Sequence, residues 1–173
     1  VLSRQSILAA AVAEIDGGGL AGCTMRAVAE RLGVRAMSLY RHVGPKEAML
    51  ALVPDHLLGP TCEVVTRQVG AIDALWAVAD GLQAVIDAHP RAADLLAQPA
   101  PGPSMTAAAA HCVDLLVADG LPAELAYGLV RAVVAQVIGE AVTSHGPPSD
   151  VGIGVLMDGA AARLAQGLDG PPS

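Results

Sequence analysis

Residues 24–46, TMRAVAERLGVRAMSLYRHVGPK, read as two short helices joined by a tight turn, and the rest of the chain is placed relative to them. Thr24 is a good N-cap, because its hydroxyl can accept from an amide that the helix start leaves unpaired. Behind it Val28, Ala29 and Leu32 share one helical face, while Arg26, Glu30 and Arg31 point elsewhere. Gly33 ends this helix, since glycine takes the positive φ of a helix stop without a Cβ clash. Val34, Leu39 and Val43 then recur at helical spacing and predict a second helix buried against the first. The outer face is left to Arg35, Met37, Ser38, Arg41 and His42. Such a face suits the major groove of DNA, where Arg forks onto guanine, hydroxyls read either base type and methionine touches a thymine methyl.

The run T-x-R-x-V-A-x-x-L-G-V-x-x-x-S-L-Y-x-H-V-x-x-K-x-x-x-L, from Thr24 to Leu50, resembles the DNA-binding domain of the tetracycline-repressor (TetR) family of bacterial transcription regulators. The resemblance implies an all-α chain with an N-terminal three-helix head containing the helix-turn-helix, residues 1–45. A C-terminal helical domain for effector binding and dimerisation would follow, residues 46–173. It further implies a ligand-responsive repressor in the cytoplasm. Its partners would be a double-stranded DNA operator, a small-molecule effector and a second copy of the chain, with no cofactor and no membrane. By the same resemblance Tyr40, His42 and Lys46 sit where the family contacts DNA, as do Arg26 and the outer residues of the second helix, with Tyr40 on phosphate. Position 41 is often aromatic in related sequences, so Arg41 suggests a different base or phosphate contact.

The net charge of −7 seems at odds with a nucleic-acid partner, because phosphate binding is driven by basic surface. The charge is unevenly spread. Residues 1–50 carry six Lys or Arg against four Asp or Glu, whereas residues 51–173 carry four against thirteen. The basic part coincides with the helix-turn-helix, and its modest excess predicts that two heads must act together on one site. With 53% hydrophobic residues, 2% aromatic and no Phe, the core is expected to be Ala, Val and Leu, packed by close helix approach.

Cys23, Cys62 and Cys112 are far apart and form no C-x-x-C or Cys/His cluster, so buried, reduced thiols are expected and no metal site. Arg4 and the apolar run Ile7–Ala13 imitate a signal peptide, but Glu14 follows at once and Ile7, Leu8, Ala11, Val12 and Ile15 form a helical stripe suited to packing on the hairpin. The longest charge-free stretch, 95–113, is broken by Pro99, Pro101, Gly102 and Pro103, which excludes a spanning helix there. Gly17, Gly19 and Gly22 match G-x-G-x-x-G, yet a helix precedes them where a dinucleotide site needs a strand. No H-E-x-x-H, P-loop or nucleophile elbow occurs. His111 and Cys112 are neighbours on one helix and do not face each other as a base and a nucleophile would.

Punctuation sets the remaining helices. The first should run from Ser3 to Asp16 and stop at Gly17-Gly18-Gly19, and a fourth should start near Lys46, with a kink or a break at Pro54 and an end at Gly59-Pro60. Further helices are expected over 72–88, 91–97, from Ser104 as N-cap to Val117, over 123–143 behind Pro122, and over 154–168, with loops at Gln98–Pro103 and His145–Asp150.

In the resembled family the effector cavity lies among the C-terminal helices, which makes Trp76, Met105, His111 and Tyr127 the candidate ligand contacts. The walls over 71–143 are aliphatic, so a neutral or weakly polar hydrophobic metabolite is expected, not one recognised by stacking or cation–π contact. Aligned with the tetracycline-binding member, the stretch AHPRAADLLA puts Leu96 at a metal-binding histidine and Thr143 near its acidic partner, which argues against magnesium-tetracycline. Gly128, Ala132, Ala135 and Gly139 form a small-residue stripe on a helix apolar nearly all round. With Met157, Ala161 and Leu164 of the last helix, they are the expected faces of a two-fold four-helix bundle. Two alternatives remain open at this point: a small all-α enzyme that keeps the helix-turn-helix head, and a DNA binder without an effector.

Overall fold

The computed structural model describes residues 2–97, 102–143 and 150–165. Gln98 to Pro101 of the expected proline-rich loop, the loop expected from His145, and Leu168 lie outside the described residues. Among the described residues all regular structure is helical: α1 (Arg4–Gly22), α2 (Met25–Leu32), α3 (Ala36–Val43), α4 (Lys46–Val65), α5 (Ala71–Ala88), a 3-10 turn (Pro90–Ala92), α6 (Ala93–Leu96), α7 (Pro103–Ala118), α8 (Ala123–Thr143) and α9 (Asp150–Ala165). The all-α reading therefore holds.

The helices group into two compact units: residues up to Leu57 with Val85–Gly102, and Leu58–Ala84 with the residues from Pro103 onward. In the first unit one core is shared by Ile7, Ala11 and Ile15 of α1, Val28 and Ala29 of α2, Leu39 and Val43 of α3, Met49 and Val53 of α4, and Ala92 and Leu95. The stripe that argued against a signal peptide is thus the central wall of this core. Ser3 and Ser6 form a reciprocal capping box at the start of α1. Thr24 Oγ1 accepts from the Ala27 amide at 3.1 Å, and Gly33 closes α2 in the left-handed region at φ 65°.

The expected boundaries of four helices are corrected. Helix α1 does not stop at Asp16; it continues through Gly17 and Gly18, and regular geometry fails only at Gly19, at φ 68° and ψ −176°. Glycine weakens a helix without forbidding it, and this end is held by tertiary bonds: Arg91 Nη1 donates to the carbonyls of Asp16 and Gly17, each at 2.6 Å, and His89 Nδ1 lies 2.9 Å from Asp16 Oδ2. Helix α4 runs on through Pro54 and through Gly59-Pro60 to Val65. Burial of Met49, Val53, Leu58, Cys62 and Val65 along it offsets the amides that the prolines lack. Helix α7 begins at Pro103, one residue ahead of Ser104, because proline is well placed in a first turn. The last helix likewise starts earlier than expected, at Asp150.

In the second unit α7 packs on α8 and α8 on α9. Helix α8 has the bounds that Pro122 and the apolar period predicted. It buries Ala126, Val130, Val133 and Val137, residues spaced by four, three and four. The stripe Gly128, Ala132, Ala135 and Gly139 has the same spacing displaced by two residues, which at 3.6 residues per turn is a rotation of about 200°. It therefore lies opposite the face the chain buries itself, with Gly128 and Ala135 exposed and Ala132 and Gly139 half-buried. Glycine is required where α4 meets α5, since a Cβ at Gly81 would lie 2.2 Å from Thr61 Cγ2.

Candidate nucleic-acid interface and ligand groove

Helix α3 is anchored by the buried side chains of Leu39 and Val43, with Ala36 packed beside them, and its remaining positions are exposed or half-buried. Arg35, the N-cap, is exposed, as are Met37 (76%), Tyr40 and Arg41, while Ser38 and His42 are half-buried. Of the expected reading face, Arg35, Met37 and Arg41 are thus exposed to solvent.

Residues 1–50 carry six cations, and the structure engages four of them internally. Arg26 Nε pairs with Glu30 at 2.8 Å and Arg31 Nε with Glu14 at 2.6 Å. Arg4 Nε donates to the His42 carbonyl at 3.2 Å, and Lys46 Nζ to the Leu20 carbonyl at 3.0 Å. Arg35 and Arg41 have no partner among the described residues, and both project from α3. Arg26 and Arg31 are neutralised by carboxylates, whereas Arg4 and Lys46 keep their charge against neutral carbonyls. Four positive charges therefore remain uncompensated among the described residues, and two of them, Arg35 and Arg41, stand on the helix with the exposed polar face. Arg26 and Lys46, expected DNA contacts, are already engaged within the chain, although each keeps N–H donors to spare.

The expected ligand contacts are not brought together. Trp76 lines an open groove of about 590 Å³ between α4 and α5, together with Pro60, Thr61, Val64, Gln68, Asp73, Ala77, Asp80 and Gly81. His111 is half-buried and its Nε2 lies 2.9 Å from the Gln68 carbonyl, so it buttresses the groove wall from α7 without lining it. Met105 is half-buried on α7 away from the lining. Tyr127 is 58% exposed on α8, with the Arg131 guanidinium 5.9 Å from its ring centre. Leu96, aligned above with a metal-binding histidine, is buried. The sequence reading passed over Asp73 and Asp80, although their three- and four-residue offsets from Trp76 put all three on one face of a helix.

Cys112 and Cys23 are buried, and burial pushes both thiols up, Cys112 to about 11. A thiol held protonated is a poor nucleophile, in line with the structural reading of the cysteines. The described residues contain no group of three His, Cys, Asp or Glu able to hold a metal ion, and no helix among them is long and apolar enough to cross a membrane. Of the α9 residues expected at an interface, Ala161 is exposed and Leu164 half-buried, whereas Met157 is only 2% exposed, turned into the chain's own core. On an evenly apolar helix, periodicity does not tell which apolar side chains face inward.

Residues 7–53, the core of the head, match the family model of bacterial regulatory proteins, tetR family. An HTH-type transcriptional regulator of Saccharopolyspora erythraea is 33% identical over 121 residues, which are 69% of this chain and 51% of that protein. The chain thus spans about half the length of that curated relative. Among solved structures, BioQ with its natural double-stranded DNA operator superposes with a TM-score of 0.75 at 24% identity, over 94% of this chain and 100% of the other. ActR from Streptomyces coelicolor in complex with (S)-DNPA gives 0.74 at 21%, over 93% and 98%. At these identities both likenesses speak to the fold. The chain belongs to the TetR family of bacterial transcription regulators.

Proposed function

We propose that the protein is a ligand-responsive repressor that binds a palindromic double-stranded DNA operator as a homodimer in the cytoplasm and is released by a small hydrophobic effector. The observation that carries the reading is the exposed face of α3, where Arg35 and Arg41 are the two head cations without an internal partner among the described residues. In this reading residues 1–45 read DNA, with Tyr40 and Lys46 on phosphates beside the α3 face, and residues 46–173 bind effector and dimerise. The BioQ complex supports a DNA partner and the ActR complex a small-molecule partner. The outward stripe Gly128, Ala132, Ala135 and Gly139, with Ala161 and Leu164, supports dimerisation: small residues let two backbones approach, and Gly128, Ala135 and Ala161 are exposed in the single chain. No catalytic step is part of the reading.

Release by an effector requires that it bind the released state more tightly than the DNA-bound state, and the coupling is reciprocal. Footprinting of the region upstream of the protein's own gene tests the proposal. A protected palindrome is expected, whereas uniform, sequence-independent protection would contradict it.

A further inference from the structure

The groove between α4 and α5 has a chemistry that the aliphatic composition of the chain does not suggest. Asp73, Trp76, Ala77 and Asp80 occupy positions i, i+3, i+4 and i+7 of α5, so Trp76 is flanked on one helix face by a carboxylate on either side. Both carboxylates are exposed and neither has a partner among the described residues. The opposite wall, from α4 and the residues after it, supplies Thr61, Val64 and Gln68 and no basic group. Arg67, on the same stretch, is turned to Glu63 at 3.5 Å. The groove is thus an aromatic and aliphatic cleft edged by two uncompensated negative charges.

We infer that this groove binds a lipophilic organic cation, an amine or quaternary centre carrying apolar groups. A cation is attracted both to the face of an indole and to a neighbouring carboxylate, so Trp76, Asp73 and Asp80 favour the same charge. A neutral hydrophobe of the same size would cover the two carboxylates and return nothing for the water it displaced from them. A bare metal ion fits poorly, because two carboxylates separated by an indole do not form an oxygen cage. The volume of about 590 Å³ is that of a small-molecule site. The close approach of Gly81 to Thr61 fixes the spacing of the two walls. His111, bonded to the Gln68 carbonyl, holds the far wall and is a positioning residue. The ligand's role as effector rests on the regulatory reading above; its binding does not.

Trp76 is the sole tryptophan of the chain, so its fluorescence reports the groove directly. The full chain is titrated with tetraphenylphosphonium and with uncharged triphenylphosphine oxide. Saturable quenching by the cation is expected, at least tenfold tighter than by the oxide, weakened at least fivefold in Asp80→Asn and Asp73→Asn and unchanged in Asp158→Asn. Asp80 lies in the exposed middle of α5, so its variant carries the test should Asp73→Asn loosen the helix start. Equal affinity for the uncharged oxide, indifference to both groove substitutions, or absence of saturable quenching would overturn the inference. Operator binding is followed in parallel. Cation binding with the operator still held supports the groove and removes its regulatory role; release by an uncharged compound that leaves Trp76 fluorescence unchanged supports regulation and overturns the groove as effector site.

Discussion

The Lys46 ammonium donates to the Leu20 carbonyl across 3.0 Å, so the first residue of α4 ties down the end of α1 just beyond its break at Gly19. In the family resemblance this lysine is a DNA contact, and here it has a folding task as well. Lys46→Met should lower the unfolding free energy by about 1 kcal/mol, the usual net value of a hydrogen bond. It should also reduce the salt dependence of operator binding if the remaining donors reach phosphate. Chemical denaturation separates the two roles: an unchanged midpoint would leave Lys46 with DNA alone.

Arg35 and Arg41 differ from Arg26 in having no partner among the described residues. Arg35→Ala or Arg41→Ala should each cost about 1 to 3 kcal/mol of operator affinity where the guanidinium reads a base, and relax specificity at one position. Arg26→Ala should cost less, because Glu30 already competes for its guanidinium. Titrations against operators with single-base changes will rank the three.

Two helical glycines predict opposite signs. Alanine at Gly81 would collide with Thr61, and rotating the threonine does not help because Thr61 Cβ itself would be 3.0 Å away. Gly81→Ala should therefore destabilise by about 1 to 3 kcal/mol, the range for overpacking. Gly17 is inside α1, exposed, with nothing within 4 Å of an added Cβ and no proline after it, so Gly17→Ala should stabilise by about 0.5 to 1 kcal/mol. Thermal melts of the two variants give the comparison.

The head was legible in the sequence because its signals are local. Thr24 and Gly33 act within a turn of where they stand, and Leu39 and Val43 show their burial by spacing. Helix α8 was legible for the same reason. What the sequence hid was tertiary. Arg91 and His89 hold the end of α1 from more than seventy residues away, and no local pattern announces that. Three consecutive glycines did not show which would take the positive φ, and the prolines in α4 left a kink or a break open where the helix runs on, its buried side chains holding it. In the groove, Trp76 was visible but read without the two carboxylates on its own helix face.

Ala135 is exposed in the single chain while Val133, two residues earlier, is fully buried. Ala135→Glu should leave a folded monomer, because only the proposed interface meets the charge. Val133→Glu should unfold the protein, since an unpaired carboxylate would be driven into the core. Light scattering with circular dichroism distinguishes these outcomes, and a folded dimer of Ala135→Glu would move the interface elsewhere.

Cys112 gives an alkaline limit. Its folded value of about 11 lies above the ordinary 9.0, so the folded state keeps a proton that the unfolded chain gives up. Its contribution to stability is complete below about pH 9 and is lost as pH rises toward 11. Denaturation midpoints should fall over that window, and Cys112→Ala should flatten the fall. In the native protein at pH 8, Cys112 should resist alkylation.

The central claim is that α3 reads a two-fold DNA site. Selection of bound sequences from a random duplex pool by the purified full chain tests it most directly. The account predicts an enriched palindrome with half-sites one helical turn apart, about 34 Å between centres, and loss of that enrichment in the Arg35→Ala/Arg41→Ala double variant. Recovery of no sequence preference, or the same palindrome from the double variant, would contradict it.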